Sequence, residues 1–118
     1  MFVDGSFILS GSVSPANLVS VLGVGNIIYK NYRYNNVTAG EVYDNIPVAY
    51  GITMVIEGNT SGNAALISVG YSQTYMHTIS DPANLIGRFF NVEHASALGP
   101  HIKVTALTKT TIIIIAVG

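Results

Sequence analysis

The chain has 118 residues, enough for one domain with a small core. Five basic and six acidic side chains give a net charge of −1 and a charged fraction of 9%, far below the roughly 25% usual in a soluble domain. Lys30, Arg33, Arg88, Lys103 and Lys109 are scattered, which argues against the basic patch of a nucleic-acid binder, and the absence of cysteine excludes disulfides and thiolate metal sites.

Half of the residues are hydrophobic, and Tyr outnumbers Phe seven to four. So little charge implies that copies of the chain cover part of one another's surface. The longest notable apolar run, Ile112–Val117, falls far short of the roughly 18 residues needed to cross a bilayer, so no membrane insertion is expected. Met1–Leu9 holds Asp4 and neither Lys nor Arg, which is not the pattern of an export signal.

Gly, Asn, Ser and Pro recur at short intervals between runs rich in Ile, Val, Tyr and Thr, the rhythm of an all-β fold. The chain reads as a single β domain over 1–118, with 1–12 as a connecting or subunit-exchanging segment and a strand at Ser6–Ser10. Ser14 before Pro15 predicts a short helix over 15–22, stopped by Gly23. Gly23-Val24-Gly25 lacks the third glycine of a phosphate loop. A strand follows over Asn26–Tyr34. Glu41 and Asp44 then sit in a turn-rich stretch, where solvated carboxylates are expected.

The clearest hairpin joins Ile52–Glu57 to Ala64–Val69 through Gly58-Asn59-Thr60-Ser61-Gly62-Asn63, where Gly and Asn tolerate positive φ. Gly70 breaks the second strand, and another is predicted over Ser72–Ile79. Asp81 before Pro82 reads as the cap of a helical turn. Strands at Arg88–Val92, Ile102–Leu107 and Thr110–Val117 complete the set. The last strand does not alternate, so both of its faces should be covered. A neighbouring subunit would do this, as would a central place in its own sheet. About eight short strands, with one short helix near residues 15–22, predict an antiparallel β-sandwich or small barrel, assembled as a homotrimer.

The chemistry-bearing residues form two tyrosine clusters. Period two places Tyr71, Gln73, Tyr75, His77 and Ile79 on one strand face. Tyrosine rings stack on the C–H faces of a sugar while amides and imidazoles bond its hydroxyls. The same rings also suit inward packing or a subunit contact. In Tyr29-Lys30-Asn31-Tyr32-Arg33-Tyr34-Asn35-Asn36, Tyr32 and Tyr34 share one face and Tyr29 and Arg33 the other. This mixture is common where proteins grip partners, and equally fits a strand with one Tyr face buried. The candidate ligand-binding residues are therefore Tyr29, Tyr32, Arg33, Tyr34, Tyr71, Gln73, Tyr75 and His77.

Catalytic and metal signatures are weak. The six acids form no close pair on a predicted strand face, and a hydrolase would have to use a group such as Asp44 or Glu57. His77, His94 and His101 match no common zinc spacing. No cofactor, metal site or enzymatic activity is expected.

The central segment Ile46-Pro47-Val48-Ala49-Tyr50-Gly51-Ile52-Thr53-Met54-Val55-Ile56-Glu57-Gly58 resembles the core of the pyocin-knob type modules of bacteriophage tail fibres and R-type pyocins. Ser72-Gln73-Thr74-Tyr75-Met76-His77-Thr78 is similar to their Tyr-rich strand, and Leu18-Val19-Ser20-Val21-Leu22 to their lead-in. The similarity spans roughly residues 18–92. The family's Trp-containing segment has its counterpart in Ile86-Gly87-Arg88-Phe89-Phe90, without Trp. The resemblance implies a trimeric tail-fibre or receptor-binding tip on a virion, recognising a bacterial cell-surface glycan or protein receptor. The alternative is a purely structural virion or fibre-cap trimerisation module. Neither reading involves nucleic acid.

Overall fold

The computed structural model describes residues 27–118. The expected strand Ser6–Ser10, the helix over 15–22, Gly23-Val24-Gly25 and the segment 1–12 lie outside the described residues.

Eight strands follow in chain order: β1 (Tyr29–Val37), β2 (Val42–Pro47), β3 (Ile52–Glu57), β4 (Ala64–Val69), β5 (Met76–Ser80), β6 (Phe90–His94), β7 (His101–Ala106) and β8 (Thr110–Val117). They form a five-stranded sheet in the order β1-β8-β3-β4-β5 and a three-stranded sheet in the order β2-β7-β6. All of these strand pairs are antiparallel. The sandwich expectation holds among the described residues.

Alternation builds the core. β4 and β7 each bury every second residue, and β3 buries Thr53, Val55 and Glu57. The inward side chains of the large sheet, such as Val55, Ile67, Ile112 and Ile114, form one cluster with Ile46, Phe90, Val92, Ile102 and Val104 of the small sheet. Two half-apolar sheets thus close face to face, as sheets with one hydrophobic side must.

β3, β4 and β8 begin and end where the sequence placed them. The β3–β4 turn closes through Gly62, whose φ is +68°. Its amide donates to the Glu57 carbonyl over 2.9 Å.

Three expectations are corrected. The stretch around Glu41 and Asp44 is not a string of turns; it leads into and forms β2. Asp44, Asn45 and Pro47 look like breakers, but β2 is an edge strand with a bulge between Tyr43 and Ile46. Asn45 takes a φ of 56° in that bulge. Edge strands tolerate bulges and proline because one side needs no ladder partner.

The strand expected over Ser72–Ile79 starts at Met76, and Gln73–Tyr75 form a 3₁₀ turn instead. The Gly70 amide donates to the Tyr75 carbonyl over 2.7 Å, and Tyr75 N–H donates to the Ser72 carbonyl over 2.9 Å. A Cβ on Gly70 would lie 2.5 Å from the Tyr75 Cβ, so the loop closes this tightly only around glycine. Period two fails there, and Tyr71, Gln73, Tyr75, His77 and Ile79 do not form one strand face.

The third correction concerns β1 and β6, which run later than expected. β1 extends through Asn36, at φ 51°, to Val37, and β6 starts at Phe90 beyond Gly87, at φ +90°. Asp81 acts as the expected cap, but on a turn: its carboxylate accepts from Leu85 N–H at 2.8 Å and Ile86 N–H at 2.9 Å. β8, finally, lies between β1 and β3. Ile112, Ile114 and Ala116 are fully buried, whereas Ile113 and Ile115 on the opposite face are half-buried.

Candidate functional site

The two tyrosine clusters sit at opposite edges of the large sheet. β1 and β5 are its outer strands, roughly 19 Å apart at about 4.8 Å per strand spacing. They cannot form one small-molecule site within a chain.

In the β1 cluster the register confirms the two faces. Tyr32 opposes Ile114 and Tyr34 opposes Ile112, so both rings lean onto the core. Tyr32 donates its hydroxyl to the Pro47 carbonyl at 2.7 Å. Tyr34 stacks on Tyr43 of β2 with ring centroids 4.2 Å apart. The Tyr43 hydroxyl donates to Glu41, which also accepts from Thr38 N–H. These rings pin the two sheets together. Burial raises the pKa of Tyr32 above the usual value for tyrosine. It does the same for Tyr34, with the Tyr32 hydroxyl adding, and for Tyr43, with its bond to Glu41 adding. On the other face Tyr29 is 62% exposed. Arg33, on the same face, is exposed and donates from Nε to Asn35 at 2.9 Å.

The β5 cluster is wetter. Tyr71 and Tyr75 are 55% and 59% exposed, which disposes of inward packing for both rings. Between them Ser72, Gln73 and Thr74 project from the 3₁₀ turn region. Gln73 separates two depressions. One, of about 330 Å³, is lined by Gln73, Met76, Val92, Glu93 and His94. The other, of about 270 Å³, is lined by Ser72, Gln73, Thr74, Ser96, Ala97 and Leu98. His77 is exposed on β5, beyond the turn.

This loop is tightly held. Besides its internal bonds, the Tyr71 carbonyl accepts from Gly99 N–H at 2.7 Å. His94, buried at the end of β6, places Nε2 2.8 Å from the Gly70 carbonyl and Nδ1 2.7 Å from the Ala95 carbonyl. Both partners are main-chain carbonyl oxygens, so the ring is fixed between two acceptors. His94 is thus a positioning residue that sequence reasoning missed. Its lone imidazole carried no spacing signal, because its partners are main-chain atoms, one of them 24 residues away.

Two carboxylates named as conceivable catalysts have other environments. Glu57 is fully buried, and its oxygens accept from the amides of Asn59, Thr60 and Ser61 and from the Thr110 hydroxyl. Burial raises its pKa, but the bonds from Ser61, Thr110, Thr60 and Asn59 outweigh it and hold the group at about 2. It is the anionic hub of the hairpin loop. Asp44 is exposed and accepts from Asn45 N–H. Among the described residues no group of three His, Asp or Glu side chains is placed to hold a metal ion.

The chain matches no protein-family model, and no significant match to a curated protein or a solved structure is found.

Proposed function

We propose that the chain is a non-enzymatic receptor-binding module of a phage tail fibre or comparable virion appendage, working as a homotrimer. Its ligand is a bacterial surface glycan or glycosylated receptor. The observation that carries this reading is the Gln73 turn: a tightly bonded loop between two open depressions, flanked in the chain by two solvent-facing tyrosines.

Sugars offer apolar C–H faces ringed by hydroxyls. Tyr71 and Tyr75 supply stacking faces, and the Gln73 amide both donates and accepts. The hydroxyls of Ser72, Thr74 and Ser96 and the Glu93 carboxylate add further partners around the depressions. A loop fixed in advance loses little entropy on binding. Each site is small and open, and three copies on one particle multiply a weak affinity. Tyr29 and Arg33 lie too far across the sheet to share this ligand within one chain.

A glycan array probed with the full chain tests the proposal. Binding to a restricted set of glycans, lost in Gln73→Ala and Tyr75→Ala variants that melt like the parent, is the expected result. A blank array would favour the purely structural fibre-cap reading instead, for which Ile113 and Ile115, turned away from the core on β8, are the favouring observation.

A further inference from the structure

The large sheet has a second face that the sandwich core does not use. Directly paired residues share a face. Ile52, Met54 and Ile56 of β3 pair with Val117, Ile115 and Ile113 of β8, and all six point away from the core. Leu66 of β4 pairs with Met54 and extends the patch. On β1, Tyr29 opposes Val117 and Arg33 opposes Ile113 at the rim. Ile52 is 48% and Val117 39% exposed, and the other four of the six are half-buried. The patch itself carries no charge.

We infer that this outer face of the five-stranded sheet is the self-association surface, and that its occupant is the same face of other copies of this chain. The inference rests on the trimeric reading above and deepens it by naming the surface. Three observations carry it. First, Ile52, Met54, Ile56, Leu66, Ile113, Ile115 and Val117 form one contiguous apolar patch across three adjacent strands, and Ile52 and Val117 are exposed. A standard interface removes about 800 Å² from each partner. The patch supplies the dry centre of such an interface, and Tyr29, Asn31, Arg33 and Ser68 supply a polar rim of the usual kind. Second, the apolar centre lies on β8 and β3, both interior strands of the sheet, and not on a free edge. A sheet face is matched by another flat apolar face, whereas an extended peptide would need an open edge. Third, the patch is uncharged and chemically uniform, so three copies that turn it toward a shared threefold axis bury no charge there. That accounts locally for a chain in which charged residues make up 9% of the sequence.

Light scattering of the full chain at micromolar concentration reads the first outcome. About three times the 12.5 kDa chain mass is expected. Ile115→Lys and Met54→Lys place a charge at the patch centre and should reduce the mass threefold, with the β signature in circular dichroism retained. A monomeric parent chain would overturn this inference and the trimer together. An oligomer that survives both lysine variants would overturn the surface and leave the trimer standing. The chain has no cysteine, so Met54→Cys introduces a single thiol at the centre of the patch. Its reaction with maleimide should be at least tenfold slower in the oligomer than after dilution to monomers. Protection that persists in a monomeric species would assign the face to residues 1–26 of the same chain and refute self-association. Retention of glycan binding by the lysine variants, at lower avidity, separates this surface from the Gln73 turn.

Discussion

Replacing Glu57 with Gln removes one negative charge and leaves the shape almost unchanged. The parent carboxylate accepts three loop amides and the Thr110 hydroxyl. Gln offers one acceptor oxygen and turns an NH₂ group toward donors, so at least one buried N–H loses its partner. The folded carboxylate titrates at about 2 against an ordinary 4.5. Each unit corresponds to about 1.4 kcal/mol. Discounted for the solvent around the exposed loop, the contribution is roughly 2 kcal/mol at neutral pH. An unpartnered buried donor adds about 1 kcal/mol, giving a loss of about 3 kcal/mol in Glu57→Gln. The sign with pH follows from the depressed value. Between about 4.5 and about 2 the unfolded chain binds a proton that the folded chain refuses, so this stabilisation is full above 4.5 and is lost as pH falls toward 2. Urea unfolding of parent and variant at pH 7, 5, 4 and 3 is the assay. The gap between them should be widest at pH 7 and shrink below pH 4.5. A gap that stays constant across the range, or is absent at pH 7, would refute the assignment of Glu57 as the charged hub of the loop.

Gly70→Ala drives a methyl group to 2.5 Å from the Tyr75 Cβ, so it should spring the turn and lose glycan binding, with a stability cost of about 1–3 kcal/mol in thermal melts. Thr53 is fully buried and its hydroxyl has no partner, so Thr53→Val should raise stability by about 1 kcal/mol, seen as a higher melting temperature. Tyr32, Tyr34 and Tyr43 should ionise above the ordinary pH 10 in an absorbance titration at 295 nm. Their contribution is intact below pH 10 and fades as pH rises beyond it, so their ionisation should coincide with weakening of the sandwich. Titration of all tyrosines as free phenols in the folded chain would contradict the inter-sheet packing.

Much of the β1 geometry was legible from alternation alone. Tyr32 and Tyr34 face one way and Tyr29 and Arg33 the other because strand side chains alternate, whatever the neighbouring strand is. The β3–β4 hairpin was legible because Gly and Asn mark a reversal between two apolar runs. The turn at Gln73 was not. Ser72–Ile79 has strand composition, and only the approach of Gly70 to Tyr75 bends its first half into a 3₁₀ turn. β2 was hidden for the opposite reason, since its breaker residues are tolerated on an edge that sequence does not announce.

The amino-acid order by itself determined the β character of the described residues, their best hairpin, the capping role of Asp81 and the shortage of charge. These are local properties of period, turn chemistry and composition. The tertiary structure decided that β8 lies inside the sheet with one face outward, that Glu57 serves a loop, and that His94 braces the candidate site through main-chain carbonyls. Those facts depend on which distant segments pair. Pairing is set by the closing of two sheets over one core, and no short stretch of sequence contains that information.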